Sequence, residues 1–246
     1  MANAQRMAPW LLMLVLPAAA GALDAKSPAS PSPVTLHASA AITIEPDGRI
    51  SSFAWKDENE DVLQVARLVE PRVRAFQFEP GRIDGVPAVT DTTLRVTLRA
   101  TPAAAGNWAI SIADAATGAA VVSQLPPTYP IEAARDGIEA EVVSEIEVGA
   151  DGRAKVLSTG YESSAKGAAG RREFLRASSA AIASWRYEPE RVGGHPVAGR
   201  MRVPITFCLG HRTWCTERQA GQPDAHQPVP LNSRVSLLTR LEADGA

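Results

Sequence analysis

The chain has 246 residues, 45% of them apolar and 21% charged, with a formal net charge of −2. That supplies apolar material for one or two cores and a length for one or two domains. The near-neutral balance excludes the basic footprint of a nucleic-acid binder and points to no anionic membrane surface.

The N-terminus carries a single Arg6, an uncharged apolar run over 8–20, and then the small residues Ala20-Gly21-Ala22. A short basic region, an apolar region and an A-x-A site make the layout of a secretory signal peptide, assigned to 1–22. The uncharged stretch ends at Leu23 and contains Pro9 and Pro17. It is therefore short for a membrane span, which needs about 20 residues. An uncleaved anchor is the alternative. No cysteine lies near the cleavage region, so no lipid-attachment site is read there. Residues 26–33 follow as a linker rich in Ser, Ala and Pro. Even in extended polyproline geometry this linker reaches only about 25 Å.

The segment 34–102 reads as a small folded unit. Ile42-Thr43-Ile44-Glu45 alternates and enters Pro46-Asp47-Gly48-Arg49, a hairpin turn of the Asp-Gly type. Ile50, Phe53 and Trp55 lie on the return strand, and Val62, Val65, Ala66, Leu68 and Val69 are spaced for one buried helix face. Phe76-Gln77-Phe78-Glu79-Pro80 comes next, then the turn Asp84-Gly85-Val86-Pro87-Ala88 and a strand carrying Leu94, Val96 and Leu98. In the acidic run Asp57-Glu58-Asn59-Glu60-Asp61 the ligand types alternate as in a calcium loop. The positions that would need Gly and a bidentate Glu are Val62 and Leu68, so the calcium reading fails. The run is read as the solvated start of the helix, complementing its dipole.

Residues 103–125 are expected to connect this unit to the next, with an extra strand over 108–113. The segment 126–217 opens Tyr129-Pro130-Ile131-Glu132-Ala133-Ala134-Arg135-Asp136-Gly137. An alternating strand, the turn Asp151-Gly152-Arg153 and a helical stretch with Leu175, Ala181, Ile182 and Trp185 on one side follow. Trp185-Arg186-Tyr187-Glu188-Pro189 leads to Gly193-Gly194-His195-Pro196-Val197 and a last strand over 197–207. Trp185 and Tyr187 are expected in the core where helix meets sheet, and Pro189 cannot extend a helix.

This order repeats the earlier one. Asp47-Gly48-Arg49 aligns with Asp151-Gly152-Arg153, and Phe76-x-Phe78-Glu79-Pro80 with Trp185-x-Tyr187-Glu188-Pro189. Leu94, Val96 and Leu98 align with Val203, Ile205 and Phe207; the extra residues of the second copy fall at 164–170. The expected fold class is α+β: two small modules, each a helix packed on a roughly three-stranded antiparallel sheet. Cys208 and Cys215, the only cysteines, are expected to form a disulfide in an oxidising compartment, pinning the tail 218–246 against the last strand. A redox pair would need Cys-x-x-Cys spacing. A metal site on Cys208, His211 and Cys215 lacks a fourth ligand.

The elements of 126–217 resemble, in order, the C-terminal domain of the TonB family, periplasmic transducers that drive outer-membrane import. The matching positions are Tyr129, Pro130, Gly137, Asp151, Gly152, Trp185, Tyr187, Pro189, Pro196 and Val197. The segment 34–102 is then a degenerate copy lacking the Tyr-Pro opening. The resemblance implies a periplasmic, non-enzymatic protein whose partner is a protein or peptide, such as an outer-membrane receptor, and which needs no cofactor. It further implies that the partner adds as a strand to an exposed sheet edge, where backbone hydrogen bonds supply affinity. The candidate edge is the strand over 197–207, with Val197, Arg200, Arg202, Val203 and Ile205; Pro204 lacks a donor and partly blunts it. The alternative function is a membrane-anchored energy transducer, the only case that involves a membrane. The chain departs from the family in its short linker, its duplicated module and its tied tail.

Catalysis finds no constellation. His37, His195, His211 and His226 fall in segments read as loop or tail, and none accompanies a nucleophile, paired carboxylates or a phosphate loop.

Overall fold

The computed structural model describes residues 32–57, 59–210, 214–217 and 227–241. The expected signal segment, most of the linker, Glu58, His211, His226 and parts of the tail lie outside the described residues. Alternating side chains build the first hairpin, β1 (Val34–Ile44) with β2 (Ile50–Trp55), in which Ile42 stands opposite Phe53. Gly48 turns it with φ +83°, and a Cβ there would collide with the Phe78 carbonyl. Phe78 N–H donates to Gly48 O at 2.9 Å.

Helix α1 (Glu60–Arg74) starts at Asn59, whose side chain accepts from the Asp61 and Val62 N–H groups. That satisfies donors the first turn leaves open. Ala66, Val69 and Val73 are buried on β1, while Leu68 is 71% exposed. At 100° per residue, position 68 falls off the face shared by 62, 66, 69 and 73, which corrects the expected stripe. Short strands β3 (Phe78–Glu79), β4 (Arg82–Ile83) and β5 (Val86–Pro87) lead to β6 (Thr90–Pro102), which pairs with β1 along its whole length.

The segment expected to connect is mostly strand. β7 (Trp108–Gly118) lies antiparallel on β6 from Thr93 to Pro102, and β8 (Ala120–Ser123) follows at once. The second half then opens with the short helix α2 (Ile131–Arg135) and the hairpin β9 (Ala140–Val148) with β10 (Ala154–Ser163). Its turn repeats the first in detail. Gly152 has φ +71°, a Cβ on it would stand 2.6 Å from the Tyr187 carbonyl, and Tyr187 N–H donates to Gly152 O at 3.1 Å.

Helix α3 (Arg171–Ser184) buries Phe174, Ala181 and Ile182. Phe174 was not among the expected apolar positions; its ring lies 4.9 Å from Phe207 and 5.7 Å from Tyr129. Beyond Trp185 come β11 (Arg186–Glu188), β12 (Glu190–Val192), β13 (His195–Val197) and β14 (Gly199–Phe207). The strands are ordered β2-β1-β6 in the first half and β10-β9-β14 in the second. These helices and antiparallel sheets make the fold α+β.

The strand expected over 197–207 is in fact two strands in two sheets. Gly193 and Gly194, at φ +57° and +79°, form a two-residue hairpin that folds β13 back on β12. Positive φ at both central residues matches the twist of flanking strands. β12 then adds to β6 through Arg191↔Asp91 and Val192↔Thr90. The halves thus share a six-stranded sheet, and β11 reaches back to pair with β8.

The tail ties this arrangement together. β15 (Val229–Pro230) pairs with β14, and β16 (Ser236–Leu237) pairs with β3. Between them Glu190, only 3% exposed, accepts from Thr92 Oγ1 at 2.8 Å, Ser233 Oγ at 2.7 Å and Arg234 N–H at 2.7 Å. Cys208 and Cys215 are disulfide-bonded, with Cα atoms 5.9 Å apart. Their loop closes on buried Glu139, which accepts from Leu209 N–H at 2.7 Å.

Trp185 is 5% exposed and donates from Nε1 to Leu125 O at 2.8 Å, so Trp185→Ala in the full chain should cost roughly 3–5 kcal/mol. His195→Ala, at an exposed hairpin position, should stay within about 0.5 kcal/mol. Urea melts compare the two, and equal midpoints would remove Trp185 from the core. Glu190→Ala strands buried donors and should cost roughly 3–5 kcal/mol. The Arg234 amide should also exchange faster with solvent; unchanged exchange there would mean the carboxylate does not hold the tail.

Candidate docking edge

β14 is positioned by its ladder to β9, which runs from Gly199↔Val148 to Phe207↔Ala140. Along β14 the side chains alternate. Gly199, Met201, Val203, Ile205 and Phe207 are buried, while Arg200 and Arg202 are exposed. Of the expected edge residues, Arg200, Arg202, Val203 and Ile205 are on this strand. Val197 is not: it stands opposite Glu190 in the other sheet, because the Gly-Gly hairpin folds β13 back on β12 before β14 begins. Val203 and Ile205 face the core, so a partner would meet their strand through backbone groups.

The outer side of β14 can be read from its bonds. Leu231 N–H donates to Arg200 O at 2.8 Å, and Arg200 N–H donates to Asn232 Oδ1. Alternation then turns the backbone groups of Arg202, Pro204 and Thr206 the same way. β15 covers this side only opposite Met201 and Arg202. Pro204 offers a carbonyl but no N–H. Beyond β15 the outer side borders a groove of 370 Å³ lined by Pro126, Pro127, Trp185, Pro204, Ile205 and Thr206. Arg200 also pairs with Glu145 at 3.5 Å.

The remaining motif residues hold the frame. Pro130 caps α2, and Gly137 leaves it with φ +66°. Tyr129 donates to Ile138 O at 2.6 Å, and Asp151 Oδ1 accepts from Arg153 N–H at 3.1 Å. Tyr187 donates to Ile182 O at 3.2 Å, and burial pushes its hydroxyl pKa up. Pro189 lies between β11 and β12, and Pro196 stands opposite Arg191. Trp185 alone of these borders the groove.

A second cleft, of 720 Å³, shares Gln124, Gln227 and Pro228 with the groove and contains Lys56 and Arg95. Arg95 donates from Nη2 to Ala119 O at 3.3 Å, and its Nη1 is buried without a hydrogen-bond partner. Burial lowers its pKa to about 10. Nothing in the sequence marked Arg95, an ordinary outward position of an alternating strand until β8 arrives. Among the described residues no cluster of three or more His, Cys, Asp or Glu side chains is placed to hold a metal.

A family model described as Gram-negative bacterial TonB protein C-terminal matches residues 126–209. Curated relatives named Protein TonB, from two strains of Xanthomonas campestris pv. campestris, are each 36% identical over 84 residues. The match covers 34% of this chain and 35% of each relative, so the chain spans about a third of their length. The solution NMR structure of the Pseudomonas aeruginosa TonB CTD is 31% identical, with a TM-score of 0.29, and covers 38% of this chain and 89% of that one. By the family match and the shared identity, residues 126–209 belong to the TonB C-terminal domain family.

Proposed function

We propose that this is a non-enzymatic periplasmic protein of the TonB type, acting in outer-membrane transport by receiving an extended segment of a partner on the outer side of β14. The partner class is a protein or peptide, such as an outer-membrane receptor. One observation carries the reading: β14 is the last long strand on its side of the sheet, and the strand beyond it, β15, pairs with it only at Met201 and Arg202. Main-chain groups there can pair with an added strand whatever its side chains, which suits an edge whose own side chains are mostly turned inward.

The first half is read as a degenerate copy of the domain. Its support is the common strand order and the two Asp-Gly turns, each with its glycine packed on the carbonyl of the second aromatic of the motif. In that copy the position equivalent to β14 is β6, whose outer side is taken by β7 and β12. One docking edge is therefore assigned, not two. Whether the chain works as an exported protein or as a membrane-anchored transducer turns on retention of the apolar segment at 8–20. Sequencing the N-terminus of the protein from cells decides it, with an exported product expected to start near Leu23.

The docking reading is tested with a labelled extended peptide from an outer-membrane receptor, titrated into the full chain. Binding should slow amide exchange at Thr206 beyond its level in the free chain. Thr206→Pro removes an outward N–H and should weaken binding at least about tenfold, equivalent to about 1.4 kcal/mol. Unaltered affinity in that variant would move the peptide off β14.

A further inference from the structure

We infer that residues 229–232 are a built-in ligand of the docking edge, an internal strand that a partner must displace, so that the free chain holds its own site half closed. The inference rests on the strand-addition reading and adds regulation to it.

The contacts are those of an added strand. β15 runs antiparallel to β14 with Met201↔Pro230 and Arg202↔Val229. Leu231 N–H and Asn232 Oδ1 take the outward carbonyl and N–H of Arg200. β7 covers the same side of β6 from Thr93 to Pro102, so the internal strand is a short version of something the fold already accommodates. Pro230 seats over Gly118, where a Cβ would collide with its ring. With no N–H of its own, Pro230 offers a further strand only a carbonyl, so this strand makes a poor edge for more pairing.

Release here does not require release of the tail. From Ser233 onward the chain is fixed independently: Ser233 and Arg234 on Glu190, Val235 at 4% exposure, and Leu238 N–H on Gln77 O at 2.8 Å. The segment before that anchor is held on the edge by the short β15–β14 ladder and by the bonds that Leu231 and Asn232 make with Arg200. Bonds of ordinary net strength would keep the edge closed roughly tenfold or more, and apparent affinity falls by that same factor. The tether keeps the segment at high effective concentration, so it re-forms when the partner leaves. The replacing partner is thus specified: an antiparallel extended peptide with a compact apolar residue over Gly118 and groups that satisfy Arg200.

The test uses the full, oxidised chain and a labelled peptide of the tail's own sequence, residues 227–234. Two variants loosen the internal strand without touching β14: Leu231→Pro removes the N–H given to Arg200, and Asn232→Ala removes the side-chain acceptor. Both should take up the peptide at least tenfold more tightly than the wild type, with faster amide exchange at Arg200. Persisting protection of the Val235 amide confirms that the tail anchor and fold survive. Equal uptake by the wild type and both variants, including none by any, overturns the inference. Variants that take up the tail peptide but no receptor-derived peptide would uphold the internal strand and sink the docking reading instead.

Discussion

The arrangement turns on one buried carboxylate. Glu190 sits where β12 crosses onto β6 and where the tail passes, and its oxygens are the common acceptor for Thr92, Ser233 and Arg234. A carboxylate removed from water is tolerated only when donors surround it. Here those donors come from two distant segments, β6 and the tail, so the carboxylate of the second half can be satisfied only when the first half and the tail are in place. It converts two similar units into one interdependent body and holds the tail beside the β14 edge.

Glu139 plays a parallel part at the other end of β14. It accepts the Leu209 N–H, and Cys215, in the same disulfide loop, is 2% exposed. The disulfide thus secures the exit of β14, while Glu190 secures the return of the tail past its start. Residues 229–232, ahead of the Glu190 anchor, meet the edge through a two-residue ladder and the bonds to Arg200, a difference in anchoring that lets this stretch move while the anchor stays fixed.

What was legible in the sequence was local. Both Asp-Gly turns, the aromatic-x-aromatic-Glu-Pro segments and the Tyr-Pro entry are short patterns whose geometry is set by neighbouring residues, and each appears where the spacing put it. Phe174 and Leu68 depart from the expected faces because apolar spacing alone does not set where a helical face is centred. The larger misses were long-range. Gly193-Gly194 reads equally well as a loop into a final strand or as a tight hairpin, and only pairing with β6 decides for the hairpin. That decision took Val197 away from the docking edge. β15 and β16, two residues each, have no periodicity to detect; they are strands only because β14 and β3 lie beside them.

The sharing of the six-stranded sheet also sets an order of events in folding. Thr92 and Glu190 are 98 residues apart in the chain, so the far end of β6 lacks its neighbour until nearly the whole second half has been made. Closing such a distance is slow compared with forming either hairpin. During that interval Thr90 and Asp91 present an unpaired strand end, the kind of surface that invites wrong partners. A chain delivered from its N-terminus therefore reaches its native state late, when β12 and β13 arrive, and the first half waits incomplete for the second.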